Sequence, residues 1–143
     1  MNSIHILLIE DNEGDILLTK EALDNSKISN VLSVVRDGWE AMLFLEKKQN
    51  YSAAETPDLI LLDVNIPKLN GHEVLAQTKS NPELQHIPVI MLTTSSSEQD
   101  VLKSYQNHVN CFITKPIETE LFLEVISSIE EFWTSIVQLP KQP

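Results

Sequence analysis

The chain has 143 residues, 42% of them apolar, which suits one domain with a buried core and argues against wholesale disorder. Ten Lys and Arg against 21 Asp and Glu give a formal charge of −11, a balance that repels phosphate backbones and anionic lipid headgroups. The single cysteine, Cys111, excludes an internal disulfide and a multi-cysteine metal site. The start of the chain shows no signal-peptide pattern, and its apolar runs are too short to cross a membrane as a helix. A soluble, cytoplasmic protein is expected, with neither nucleic acid nor membrane as partner.

Residues 4–9 form the first apolar run, of strand length. A helix follows, suggested by Ile16, Leu17, Thr19, Lys20 and Leu23 on one stripe. Residues 31–35 form a second strand, and Asp37-Gly38 lead into a helix carrying Trp39, Met42, Leu43 and Leu45. Trp39 is expected to pack against the domain. Residues 50–57 read as a polar, proline-bounded loop, and the connection at 47–56 is longer than a minimal domain needs. Residues 59–62 form a third strand, and the turn at 66–71 precedes a helix with Val74, Leu75 and Thr78. Residues 89–92 form a fourth strand, followed by a serine-rich loop and a weak helix with Val101, Leu102 and Tyr105. Residues 111–113 form a fifth strand, with Cys111 a small buried residue. The last helix has the clearest periodicity, from Leu121 and Phe122 through Ile129, Phe132 and Trp133 to Ile136 and Val137. The strands do not alternate apolar with polar, as expected of strands buried on both faces. Five strands alternating with five helices imply a parallel α/β sheet covered on both sides.

In an open parallel sheet, function gathers beyond the carboxyl ends of the strands. Those ends carry Glu10-Asp11, Asp63, Thr93-Thr94 and Thr114-Lys115-Pro116. Three carboxylates brought together repel one another, and packing alone does not favour that arrangement. A hard divalent cation such as Mg2+ resolves it. An ammonium and a hydroxyl on the same rim complete a set suited to phosphoryl transfer, where spread negative charge must be neutralised and positioned. Each element alone is uninformative. An acidic pair after a strand is ordinarily a solvated loop, and a Lys-Pro pair says little. Their joint placement at the ends of different strands carries the argument.

With these residues in place, the sequence resembles the receiver domain of two-component response regulators. The matching segments are Ile6-Leu7-Leu8-Ile9-Glu10-Asp11-Asn12 and Pro57-Asp58-Leu59-Ile60-Leu61-Leu62-Asp63-Val64-Asn65-Ile66-Pro67. Gly71, Pro88-Val89-Ile90-Met91-Leu92-Thr93 and Phe112-Ile113-Thr114-Lys115-Pro116 follow. Finer cues, including Asp15 and His108-Val109-Asn110-Cys111, are similar to the stand-alone regulators that serve bacterial and cyanobacterial phytochrome kinases.

The resemblance implies a flavodoxin-like doubly wound (βα)5 sandwich with strand order 2-1-3-4-5. It implies Asp63 as phosphoacceptor from a sensor histidine kinase, and Mg2+ or Mn2+ held by Glu10, Asp11, Asp63 and the Asn65 carbonyl. Thr93 and Lys115 would bind phosphoryl oxygens, Pro116 would shape the turn, and Phe112 would be a switch aromatic with core packing as its alternative. Thr94 and Asn110-Cys111 depart from the small residues more usual in the family. Residues 1–130 are read as the receiver and 131–143 as a helical extension and tail. This length leaves no room for an effector domain, so output through a protein partner is expected. The apolar stripe of Ile129, Phe132, Trp133 and Ile136, which runs into this extension, suggests a homodimer. The expected role is a phosphoacceptor signalling protein, with self-catalysed phosphoryl transfer and slow autodephosphorylation. The competing readings are a phosphorylation-independent binding module and a Mg2+-dependent aspartyl-phosphate hydrolase. The hydrolase would usually place a second acid two residues after its nucleophile, where this chain has Asn65.

Overall fold

A computed structural model describes residues 3–26, 29–93, 103, 105–109, 111–114 and 124. Five parallel strands form one sheet in the order β2-β1-β3-β4-β5. They are β1 (Ile4–Ile9), β2 (Asn30–Val35), β3 (Leu59–Asp63), β4 (Val89–Thr93) and β5 (Cys111–Thr114). Among the described residues, the connections before β4 are made by α1 (Glu13–Asp24), α2 (Gly38–Glu46) and α3 (Gly71–Ser80).

Strand alternation builds two cores. Leu7, Ile9, Ile60, Leu62, Val89 and Met91 face the side covered by α2 and α3, where Met42, Phe44, Val74 and Leu75 meet them. Ile6, Leu8, Leu59, Leu61, Ile90 and Leu92 face the other side, where Ile16, Ala22 and Leu23 of α1 cover them. Each fully buried Leu or Ile contributes about 1.5–3 kcal/mol relative to exposure. The uniformly apolar strands are therefore the main source of cohesion.

Side-chain caps fix where the helices begin. Asn12 accepts from the Asp15 N–H at 2.9 Å and starts α1. Asp37 accepts from the Glu40 N–H at 2.7 Å and starts α2. Asn70 and Glu73 form a reciprocal capping box at α3. Each orphan N–H satisfied in this way stabilises its helix by about 1 kcal/mol.

Three expectations change. On α1 the buried face is Ile16, Thr19, Ala22 and Leu23, while Leu17 is 58% exposed. The Thr19 hydroxyl is accommodated by donating to the Asp15 carbonyl at 2.8 Å. Trp39 is 54% exposed and is not a core residue, because Ala41, Met42, Phe44 and Leu45 supply the inner face of α2. The stretch at 47–56 is not a simple loop. It holds a short 3-10 turn, Gln49–Tyr51, and the Tyr51 ring packs 5.3 Å from that of Phe44.

Lys103, Tyr105 and Gln106 are helical, and Tyr105 is exposed. Val101, Leu102 and the positions of the last predicted helix, apart from helical Glu124, lie outside the described residues. Only the backbone of Cys111 is described.

Candidate functional site

The strand register assembles the site. Ile9 pairs with Leu62, so Glu10 and Asp63 leave the sheet side by side. β1 is an interior strand, and the Glu10 N–H donates to the Val35 carbonyl at 3.0 Å, which extends the ladder by one residue. Beyond β3, the Val64 N–H donates to the Leu92 carbonyl at 3.1 Å, which fixes the chain as it leaves Asp63.

Glu10, Asp11 and Asp63 each present a carboxylate oxygen, and these oxygens lie within 4.8 Å of one another. Glu10 is 1% exposed and Asp63 6%, while Asp11 is open to solvent. Local hydrogen bonds aim the two buried groups. The Asn12 N–H donates to Glu10 Oε2 at 3.3 Å, and the Asn65 N–H donates to Asp63 Oδ1 at 3.2 Å. Like charges held this closely, two of them shielded from water, need a counter-charge. An all-carboxylate oxygen set with one solvent-facing member fits a hard divalent cation that keeps part of its water shell. Asn65, two residues after Asp63, is exposed.

The other sequence-predicted residues distribute as follows. The Thr93 backbone ends β4 and pairs in register with Thr114 of β5, and its side chain lies outside the described residues. Phe112 pairs with Met91 and is half-buried against the core on the α2–α3 side. Lys115, Pro116, Ile129, Phe132, Trp133 and Ile136 lie outside the described residues.

Residues 6–127 match the response regulator receiver domain profile. The chain belongs to the response regulator receiver domain family. It is 47% identical over 135 residues to Response regulator Rcp1 of a Synechocystis species, covering 94% of this chain and 92% of that one. The crystal structure of the phosphorylated cyanobacterial phytochrome response regulator RcpA superposes with a TM-score of 0.84. That match has 48% identity and covers 98% of this chain and 100% of the other. The Mn2+-bound form of Rcp1 gives a TM-score of 0.82 at 46% identity, covering 96% and 99%. As a receiver domain with the strand order of that family, this chain is a signalling module of the phosphoacceptor type.

Two supporting features of the receiver site were not read from the sequence. A Cβ on Gly71 would collide with the Asp63 carbonyl oxygen and lie 2.7 Å from Val64 Cα. A Cβ on Gly38 would collide with the Leu69 carbonyl oxygen. The Asp37-Gly38 and Asn70-Gly71 pairs were visible as helix starts, but the surfaces they abut come from distant parts of the chain. At the edge of the rim, Arg36 pairs with Glu13, both largely exposed.

Proposed function

We propose that this protein is a response regulator that accepts a phosphoryl group on Asp63 from a sensor histidine kinase. The clustering of Asp63 with Glu10 and Asp11 within 4.8 Å carries this reading. An Asp63 carboxylate oxygen forms a bond to phosphorus as the phosphohistidine P–N bond breaks, and the imidazole nitrogen leaves with the electron pair. Glu10, Asp11, Asp63 and the Asn65 carbonyl would hold Mg2+, or Mn2+ in its place. When bound, the cation supplies charge neutralisation between carboxylates and phosphoryl oxygens. Thr93 and Lys115 bind the phosphoryl oxygens, and Pro116 shapes the turn beside Lys115. Phe112 reads the change as Thr93 moves. The transfer is self-catalysed, and the acyl phosphate is lost slowly to water.

Similarity to RcpA, named as a phytochrome response regulator, supports a phytochrome as the kinase. Residues 1–130 act as the receiver and 131–143 as an extension, and Ile129 at the end of the receiver joins two copies together with Phe132, Trp133 and Ile136 of the extension. The three-to-four spacing of these side chains supports the homodimer. The protein works in the cytoplasm, and its output is contact with a protein partner.

Acetyl phosphate with Mg2+, followed by intact mass measurement, tests the acceptor. Wild type gains one phosphoryl group and Asp63→Asn gains none; an equal adduct on both defeats the assignment. Sedimentation of wild type against Trp133→Ala tests the dimer, and a monomer in both cases removes it.

A further inference from the structure

The loop at 64–70, which carries Asn65 away from Asp63, rests on the start of α2. The Gly38 N–H donates to the Pro67 carbonyl at 3.1 Å. The Lys68 ammonium lies 3.5 Å from the Asp37 carboxylate, which is largely buried and also caps α2. The third element is steric. A Cβ on Gly38 would collide with the Leu69 carbonyl oxygen and stand 2.6 Å from Leu69 Cβ.

No glycine of the chain has a positive φ, so the backbone conformation at position 38 does not demand glycine. Close approach of another segment is the remaining physical reason for a residue without a side chain there. The segment that approaches is the one connecting Asn65 to α3. Asn65 in turn holds Asp63, through its N–H to Oδ1 at 3.2 Å.

We propose that Gly38 is a positioning residue for the divalent-cation site. It acts through loop 64–70, setting where the Asn65 carbonyl and the Asp63 carboxylate stand relative to Glu10 and Asp11. The proposal rests on the reading of those four residues as the cation ligands. A side chain at position 38 pushes Leu69 outward, and the shift passes through Pro67 to Asn65. Partners in direct contact with metal ligands typically change metal affinity by about 10–100-fold, and a support acting through an intervening loop is expected at the lower end of that range.

Mn2+ titration of the full chain, read by the electron paramagnetic resonance of free Mn2+, tests this without any phosphoryl transfer. Gly38→Ala is expected to bind Mn2+ about tenfold more weakly than wild type. Lys68→Gly removes the ion pair to Asp37 and accepts the left-handed φ of 71° at that position without strain. It is expected to weaken binding in the same direction by a smaller factor, and it decides the matter if Gly38→Ala does not fold. Ala22→Gly, in the interior of α1, supplies a destabilised control expected to keep wild-type affinity. Wild-type affinity in the folded position-38 and position-68 variants overturns the proposal. So does an affinity loss in Ala22→Gly that tracks its fall in thermal midpoint. A wild type that does not bind Mn2+ overturns the cation site itself, and this inference with it.

Discussion

Gly71 abuts the backbone of Asp63. Its N–H donates to the Val64 carbonyl at 2.9 Å, and a Cβ in its place would collide with the Asp63 carbonyl oxygen. The first residue of α3 is thus the floor beneath the proposed phosphoacceptor. The obstructing atoms are backbone atoms of a central strand, which cannot step aside as a flexible side chain can. Gly71→Ala is expected to destabilise the domain by about 1–3 kcal/mol, in line with overpacked sites. It is also expected to slow formation of the acetyl-phosphate adduct under conditions where the variant remains folded. Thermal unfolding and intact mass measure the two effects, and a variant with wild-type values of both would show that the contact is tolerated.

Asn12 separates stability from cation binding. Its side chain caps α1 through the Asp15 N–H, while its backbone N–H holds Glu10 Oε2. Asn12→Ala removes the first interaction and keeps the second. A loss of about 1 kcal/mol in unfolding free energy is expected, as for other lost N-caps. Mn2+ affinity should stay within twofold of wild type, about the limit set by 0.4 kcal/mol. A large loss of affinity would mean that the side chain itself supports the site.

The strands were legible because their signal is redundant. Residues 59–62 are all Leu or Ile, and β3 is buried on both faces, so no phase had to be chosen. The acidic cluster was legible because its members directly follow such runs. Helix orientation was less so. Ile16, Leu17 and Leu18 are equally apolar, and only Ile16 is turned inward. Which of three adjacent apolar residues faces the sheet depends on where Asn12 starts the helix, a geometric fact that composition does not carry. Trp39 is turned outward because Ala41, Met42, Phe44 and Leu45 already fill the inner face of α2. The contacts of Gly38 with Leu69 and of Gly71 with Asp63 arise between segments joined only by the fold.

Tyr51 offers a test of the 3-10 turn against α2. Burial raises its phenol pKa above the ordinary value of 10.0. The negative charge of Glu40 and a hydrogen bond to it add to the rise, as does Asp37. The folded protein therefore keeps this proton at a pH where the unfolded chain has lost it. Its stabilising contribution is complete below pH 10 and is lost as the pH climbs through the folded-state value. Ultraviolet titration of phenolate should show a component above 10 that Tyr51→Phe removes. If the component removed by Tyr51→Phe titrates at or below 10, the turn does not pack against α2 in solution.

The acidic cluster makes a final prediction about folding itself. Glu10, Asp11 and Asp63 hold oxygens within 4.8 Å, so the cation-free fold carries their mutual repulsion. Two unit charges at such a separation cost on the order of 1 kcal/mol even when water screens them, and more where burial excludes it. Asp63→Asn removes one charge with almost no change in shape. In buffer with a chelator, this variant is expected to unfold at a higher temperature than wild type, its unfolding free energy being larger by on the order of 1 kcal/mol. Adding Mg2+ should reverse the order. A cation at a hundredfold excess over its dissociation constant stabilises the binding-competent fold by about 2.7 kcal/mol, and the variant, lacking one ligand, gains less. Calorimetric melts of both proteins with and without Mg2+ measure the crossing. Parallel responses of the two proteins to Mg2+ would remove Asp63 from the cation site, whatever its role toward phosphate.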